Sequence, residues 1–444
     1  REATLHVWLR PLESDTALHQ QGPVIARHDF TGRLVFRDLE PDTEYQYAVR
    51  FGGDSSPPRH DPVSGSFRTA PAPRARKSLR FLWGGDIAGQ NVCRDAREGF
   101  PIFPVLARSR WDFFVAMGDM IHADTPCEPR GKYGNEQVPG RESPARTVED
   151  FWACWKYTRL DRGFQDFLAK TPYFPVWDDH EVADDFGPLH DTPGSRPGTV
   201  GEHLLPIGLS AFLDYNALSP LRDRPLSLYR TIRWGQHAEL FLLDTRQYRD
   251  ANSAEDRPER PKTMLGREQL TWLKSKLAAS DATWKFIVSS VPVAVPTGSQ
   301  SDRGRDGWAN GDQKTGFERE LTDLTSSMKL EGLKNVVWLS ADAQLAQGLR
   351  FRPFSPDSPF IMHEFMSGPM NAGLSSNRVL DSSLRPERLF IFGPDSSTRI
   401  KSFSEAKDWM NAGAIEIGEN GSLVVKIINA AGRAVWTSDP LVPR

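Results

Sequence analysis

The chain has 444 residues, more than one hydrophobic core ordinarily holds, so two domains are expected. With 39% hydrophobic and 25% charged residues it reads as globular, which excludes disordered and fibrous classes. A net charge of −3 gives no electrostatic case for a nucleic-acid or anionic-membrane partner, and the basic run RARK at 74–77 is too short to change that. No apolar run approaches the ~20 residues of a transmembrane helix; the longest, such as KFIVSSVPVAVP at 285–296, have strand length. No export signal is readable ahead of the opening run ATLHVWLRP, as expected if a signal were cut off or lay before this numbering, so the residues alone do not give the compartment.

Residues 1–69 read as all-β: short alternating runs (TLHVWLR, RLVFRDL, YQYAVRF, SGSFRTA) are broken by turn-formers such as GGDSSPPRHDP at 52–62. The stretch LEPDTEYQYAVRF resembles the fibronectin type III pattern through Leu39, Pro41, Thr43, Tyr45 and Tyr47, which implies a small β-sandwich over residues 1–72. APAPRARKS at 70–78 reads as a linker. From 79 to 444 the texture changes. Continuous apolar strands are expected at 79–86, 112–119, 173–180, 238–245, 284–292 and 335–342, with REQLTWLKSKLAAS at 267–280 at helical spacing. The expected fold is α/β, a layered arrangement flanked by helices. Polar stretches at 128–147, 188–203 and 296–316, the last with Trp308, read as covers over a site. Three cysteines are too few for a disulfide framework; one bridge, with Cys127–Cys154 the candidate, and three reduced thiols both stay open, with Cys93 read as structural.

The chemistry lies in where the acids fall. Apolar strands end on Asp86, Asp119, Asp178 with Asp179, and Asp342, with His122 and His180 beside them. A lone strand-end aspartate is usually a helix cap. Several in one domain are costly to bury unless a cation holds them. Open α/β sheets place ligand sites outside the carboxyl ends of their strands, so these acids can converge. Oxygen-rich clusters with a few imidazoles suit hard or borderline cations, or ferric iron.

The motifs GGDIAGQ (84–90), DFFVAMGDMIHAD (112–124), FPVWDDHEVADDF (174–186), FLLDTRQYRD (241–250), GREQLTWLKSKL (266–277), DGWANGD (306–312), VVWLSADAQLAQ (336–347) and HEFMSGPMNAG (363–373) resemble, in order and spacing, the PhoD-type alkaline phosphatase/phosphodiesterase family of the calcineurin-like metallophosphoesterases. The resemblance implies a metallophosphoesterase-like layered β-sandwich preceded by a small β-domain. It also implies metal-dependent hydrolysis of phosphate mono- or diesters by a metal-activated hydroxide. Two metal ions are implied, among iron, calcium, manganese and zinc, and an exported, periplasmic or secreted location. By the same resemblance Asp86 is a first metal ligand, Asp119 a bridging carboxylate, Asp179 a ligand of the second metal, Asp342 a further ligand, and His180 the group that protonates the leaving oxygen or holds a phosphate oxygen. Arg246, in LDTRQYRD, is a candidate for a non-bridging phosphate oxygen through its planar fork; an ion pair with Asp244 or Asp250 is the alternative.

Three positions depart from the family pattern. His122 stands where tyrosine is usual, an exchange that favours zinc, iron(II) or manganese over a ferric tyrosinate. Gln344 stands in ADAQ where histidine is usual; its amide oxygen is a weaker donor suited to calcium, and His122 is a candidate replacement for the lost imidazole. Asp184 follows DDHE where asparagine is usual, as an extra ligand or a solvated loop acid. His363, beside Glu364, is read as facing the pocket. The expected substrate is a small phosphate ester, phospholipid-like molecules included. The alternative expectation is a repurposed metalloenzyme of the same scaffold acting on a different ester or bond.

Overall fold

The computed structural model of the chain describes residues 2–52, 63–188, 201–218, 227–298, 303–311 and 313–444. Most of the expected turn at 52–62 and of the expected cover at 188–203, and residues 299–302 and 312 of the cover at 296–316, lie outside the described residues.

The amino-terminal region contributes strands β1 (Ala3–Pro11), β2 (Leu18–Val24), β3 (Glu44–Gly52) and β4 (Val63–Arg68). They form one antiparallel sheet in the order β2-β1-β3-β4. A sandwich needs a second sheet, and the described residues before the linker form only this one. Its contacts with the rest of the molecule are polar. Ser66 N–H donates to Ala169 O at 3.0 Å, Lys156 pairs with Asp29 at 2.8 Å, and His28 Nδ1 meets Asp214 Oδ1 at 2.7 Å.

Beyond the linker the chain builds two facing sheets. In chain order the strands are β5 (Leu79–Gly84), β6 (Phe113–Met117), β7 (Tyr173–Val176), β8 (Arg230–Trp234), β9 (Ala238–Leu242), β10 (Trp284–Val288), β11 (Val336–Ser340), β12 (Ala346–Phe351), β13 (Met362–Met366), β14 (Pro386–Phe392), β15 (Asn411–Ile417), β16 (Leu423–Asn429) and β17 (Ala434–Thr437). One sheet runs β17-β16-β15-β5-β6-β7, the other β14-β12-β13-β11-β10-β9-β8. Side chains alternate between the two faces of each strand. Phe81 and Trp83 of β5, Phe113 and Val115 of β6, Leu242 of β9, Phe286 of β10 and Leu339 of β11 therefore meet in one core between the sheets. The opposite faces are covered by helices. On the β5–β7 side Phe114 packs with Ile102 and Phe103 of α1 (Ile102–Leu106), Trp155 of α2 (Val148–Arg159), Phe164 and Phe167 of α3 (Arg162–Leu168) and Phe212 of α4 (Gly201–Tyr215). On the other side Ile287 and Trp338 pack with Leu273 and Leu277 of α5 (Gly266–Ala279) and Leu321 and Leu324 of α6 (Glu318–Leu330). The expected layered α/β arrangement is present, and strands buried on both faces explain the continuous apolar runs.

Two parallel sets decide where chemistry can occur. β5, β6 and β7 run parallel in one sheet, and β9, β10, β11 and β13 in the other. The loop after β5 is tied to the loop after β6 by a Cys93–Cys127 disulfide across 34 residues, and Cys154 is a buried free thiol. This corrects the Cys127–Cys154 candidate: Cys154 lies on the inner face of α2, packed among apolar side chains. Closing a loop of that length removes about 3–4 kcal/mol of unfolded-state entropy in the chain-entropy model. Thermal denaturation with and without reductant is expected to show a lower midpoint for the reduced protein, and equal midpoints would contradict a stabilising bridge.

Candidate metal centre

Each acid follows the carboxyl end of a parallel strand by two or three residues: Asp86 after β5, Asp119 after β6, Asp178 and Asp179 after β7, Asp342 after β11. Three of them sit in left-handed backbone, with φ of 61° at Asp86, 53° at Asp119 and 66° at Asp342. Aspartate tolerates that region better than most residues, yet each instance costs about 1–3 kcal/mol and such strain gathers at functional sites. Gly118 also has positive φ, and a Cβ there would lie 2.5 Å from Asp178 Cβ, so the β6 and β7 ends approach this closely only with glycine between them.

Glu181 locks those two ends together. Its Oε2 accepts from Asp119 N (2.9 Å) and Asp178 N (2.8 Å), and its Oε1 from Met120 N (2.8 Å). Burial pushes the Glu181 carboxyl up to about 8, against those three N–H groups. Arg246 is fully buried. Its Nε donates to Asp178 Oδ1 at 2.6 Å, and its two terminal nitrogens reach Asp306 Oδ1 and Oδ2 at 2.7 Å each. Asp179 Oδ1 lies 3.4 Å from Nη2. The ion partners are thus Asp178, Asp306 and Asp179. From Arg246, Asp244 accepts the backbone N–H alone, at 3.1 Å, and Asp250 accepts the N–H of Thr263 at 3.0 Å.

The remaining carboxylates are less well served. Among the described residues, both oxygens of Asp86, Asp179 Oδ1 and Asp342 Oδ2 are buried without a hydrogen-bond partner, Asp179 Oδ1 having only its longer ion contact with Arg246, at a cost of about 1–3 kcal/mol each if nothing answers them. Ligand-capable atoms of Asp119, Asp178, Asp179 and Asp342 lie within 4.8 Å of one another, as do those of Asp119, His122 and His180, and those of Asp179, His180 and Asp184. Asp119 belongs to the first two groups, and Asp86 falls outside all of them. Burial, then the charge of Asp178, raises Asp86 to about 7. Burial also raises Asp119 and Asp342 well above the usual carboxylate range, and Asp178 to about 6 against the pull of Arg246. These orphaned, mutually repelling oxygens fit cation binding.

The two imidazoles stack, with centroids 4.0 Å apart. His122 Nδ1 lies 3.0 Å from Ile87 O. A carbonyl only accepts, so that nitrogen donates and Nε2 keeps its lone pair, as a ligand requires. Burial, then the charge of His180, holds His122 well below its ordinary value. His180 Nδ1 meets Asp124 Oδ1 at 2.8 Å. Burial pulls His180 down, but Asp124, Asp179 and Asp119 outweigh it and raise the imidazole well above its ordinary value.

A cavity of 760 Å³ opens above these groups, with Asp179, His180, Asp184, Asp342, Gln344 and Arg303 in its wall. Gln344 is therefore at the site despite its unusual identity, again in left-handed backbone (φ 55°). His363 is not in that wall; it is the second residue of β13, opposite Arg350 of β12, so the expectation that it faces the pocket is corrected. Glu181, Asp124 and Asp306 were missed as functional residues. Glu181 and Asp124 are extra acids two and five residues beyond Asp179 and Asp119, a readable signal, whereas Asp306 in DGW has no expected ligand near it in sequence.

A family model described as PhoD-like phosphatase matches residues 81–417. Alkaline phosphatase D of Bacillus subtilis (strain 168) is 26% identical over 356 residues, covering 76% of this chain; the chain spans 57% of that relative's length. A solved structure of PhoD superposes with a TM-score of 0.75 at 19% identity, over 96% of this chain and 79% of the other. The purple acid phosphatase PPD1 from yellow lupin (Lupinus luteus) seeds gives 0.60 at 11% identity, over 98% and 69%. Those structural likenesses bear on the fold, which is metallophosphoesterase-like. The family match runs from β5 to β15 and takes in every strand-end acid, and the chain belongs to the PhoD-like phosphatase family.

Proposed function

We propose that the chain is a metal-dependent phosphoric ester hydrolase acting on small phosphate mono- or diesters, phospholipid-like esters included. One observation carries the reading: Asp119 is shared by a histidine-rich and a carboxylate-rich group of ligand atoms, the position a bridging carboxylate needs. Asp119 with His122, and Asp86 beyond them, would hold one ion. Asp179 and Asp342, with Asp119, would hold a second, and Gln344 is a candidate ligand on the cavity side. The donor set is compatible with iron, calcium, manganese or zinc. Ions bound there supply Lewis acidity toward a phosphoryl oxygen and lower the pKa of water.

The chain's own residues do the rest. Asp124 fixes the His180 ring through Nδ1, leaving Nε2 toward the cavity, 3.8 Å from Asp184 Oδ1, to carry a proton to the leaving oxygen. Arg246 acts as a positioning residue that holds Asp178, Asp179 and Asp306, because its guanidinium has no exposed surface for substrate. Residues 1–72 are proposed as a separate β-domain and 79–444 as the catalytic domain. No helix among the described residues is long and apolar enough to cross a membrane, and a periplasmic or secreted location is proposed on family grounds. A second reading rests on Gln344 in the cavity wall: with a weaker donor at that position, the same scaffold would act on a different ester or bond.

Elemental analysis of the purified protein is expected to find about two metal ions per chain. Aryl phosphate mono- or diester hydrolysis should be lost on chelation and restored by adding metal. One ion or none, together with no turnover under calcium, manganese, iron or zinc, would overturn the phosphoesterase reading. Asp119→Asn should abolish turnover and lower bound metal with the fold intact by circular dichroism; full activity would remove Asp119 from the bridge. Asp124→Asn should lower kcat by about 10–100-fold, the usual effect of removing the partner that orients a working histidine. An unchanged kcat would take His180 out of proton transfer.

A further inference from the structure

One acid–cation contact in the cavity wall is not used by any step above. The Asp184 side chain is 54% exposed, with Oδ2 at 3.0 Å from Arg303 Nη1 and Oδ1 at 3.8 Å from His180 Nε2. The carboxylate thus spans a guanidinium and the imidazole nitrogen that faces the cavity. Its backbone is placed for this: Asp184 N–H donates to Asp124 Oδ2 at 2.8 Å, while Asp124 Oδ1 holds His180 Nδ1 at 2.8 Å. One partly buried acid, Asp124, therefore sets the ring and the spanning residue together. Among the described residues, the buried Nε of Arg303 has no hydrogen-bond partner. Thr297 Oγ1, from the same wall, is also buried and unpartnered. Arg305, two residues on, serves its own loop: Nε donates to Asn310 O and Nη1 to Gly298 O, both at 2.9 Å.

We propose that Arg303 is the anion-recognition residue of this cavity, taking a non-bridging oxygen of the substrate's phosphoryl group, and that Asp184 is the internal stand-in for that group until substrate displaces it. The inference rests on the phosphoesterase reading of the same site. Carboxylate and phosphate present comparable oxygen pairs to a guanidinium fork, so one can replace the other. The Asp184 end of the pair is half exposed, so solvent screens the contact and an incoming anion can compete for the less exposed guanidinium. Asp184 also shares a cluster within 4.8 Å with Asp179 and His180. The anion that replaces it is thereby placed beside the metal-facing carboxylates and the proton donor.

The test uses metal-loaded enzyme, an aryl phosphate substrate and inorganic phosphate as the probe. Arg303→Met should raise both KM and the phosphate inhibition constant by about tenfold, the loss of one charge-assisted contact, with kcat and metal content little changed. Arg303→Lys should fall between that variant and the parent. Asp184→Asn should tighten phosphate binding, and the double variant should behave as Arg303→Met alone. Unchanged phosphate inhibition in folded Arg303→Met and Arg303→Lys would overturn the proposal. So would loss of a metal ion from Asp184→Asn, which would make Asp184 a ligand. Calorimetric phosphate titration separates the two readings: Arg303-dependent binding without turnover would refute the phosphoesterase and retain the anion site.

Discussion

An excess of buried negative charge at one edge of two facing sheets is the constraint on which the rest of the structure depends. Asp86, Asp119, Asp178, Asp179, Glu181 and Asp306 are buried together, with Asp342 partly buried beside them. Each buried carboxylate costs several kcal/mol unless it is paired, hydrogen-bonded or bound to a cation. The chain answers part of the debt itself. Arg246 and Arg249 neutralise Asp306, Arg246 also holds Asp178, and Glu181 is spread over three backbone N–H groups. It leaves Asp86, Asp179 and Asp342 with unmet oxygens. That division, between acids compensated by protein and acids left open, separates scaffold from ligand more sharply than proximity alone.

The fold supplies the convergence. Parallel strands put their carboxyl ends on a common edge, and the two sheets bring two such edges face to face. Close approach then needs local devices. Left-handed backbone turns Asp86, Asp119 and Asp342 out of their strands, and Gly118 removes the side chain that would collide with Asp178. The Cys93–Cys127 bridge joins the two loops that carry Asp86 and His122. Asp124 couples His180 to Asp184 through opposite oxygens, so the proton donor and the cavity rim are oriented by one residue.

Much of this can be read without coordinates, for identifiable reasons. Strands buried on both faces leave continuous apolar runs, so β5, β6, β7, β9, β10 and β11 are visible as runs, and in all but β10 an aspartate that closes the run marks its carboxyl end. Asp119, Asp179, His180 and Asp342 gather as that pattern implies. What the pattern does not carry is the identity of partners far apart in sequence. Arg246 finds Asp306, 60 residues away, rather than the neighbours Asp244 or Asp250. Cys93 pairs with Cys127 because two loops meet in space, and Cys154, nearer to Cys127 in sequence, faces a helix core instead. The amino-terminal region reads clearly as β, yet whether its strands make one sheet or two depends on packing that alternation does not encode. His363 sits in a motif beside the site but near the start of β13, opposite Arg350 and outside the cavity wall.

The central claim is that the unanswered oxygens exist for cations, with Asp119 between two of them. Anomalous diffraction from crystals grown with manganese or zinc tests this most directly. The account predicts two peaks within coordination distance of Asp119, one toward His122 and Asp86, the other toward Asp179 and Asp342. A map from active, metal-replete protein with no peak at Asp119 would contradict it.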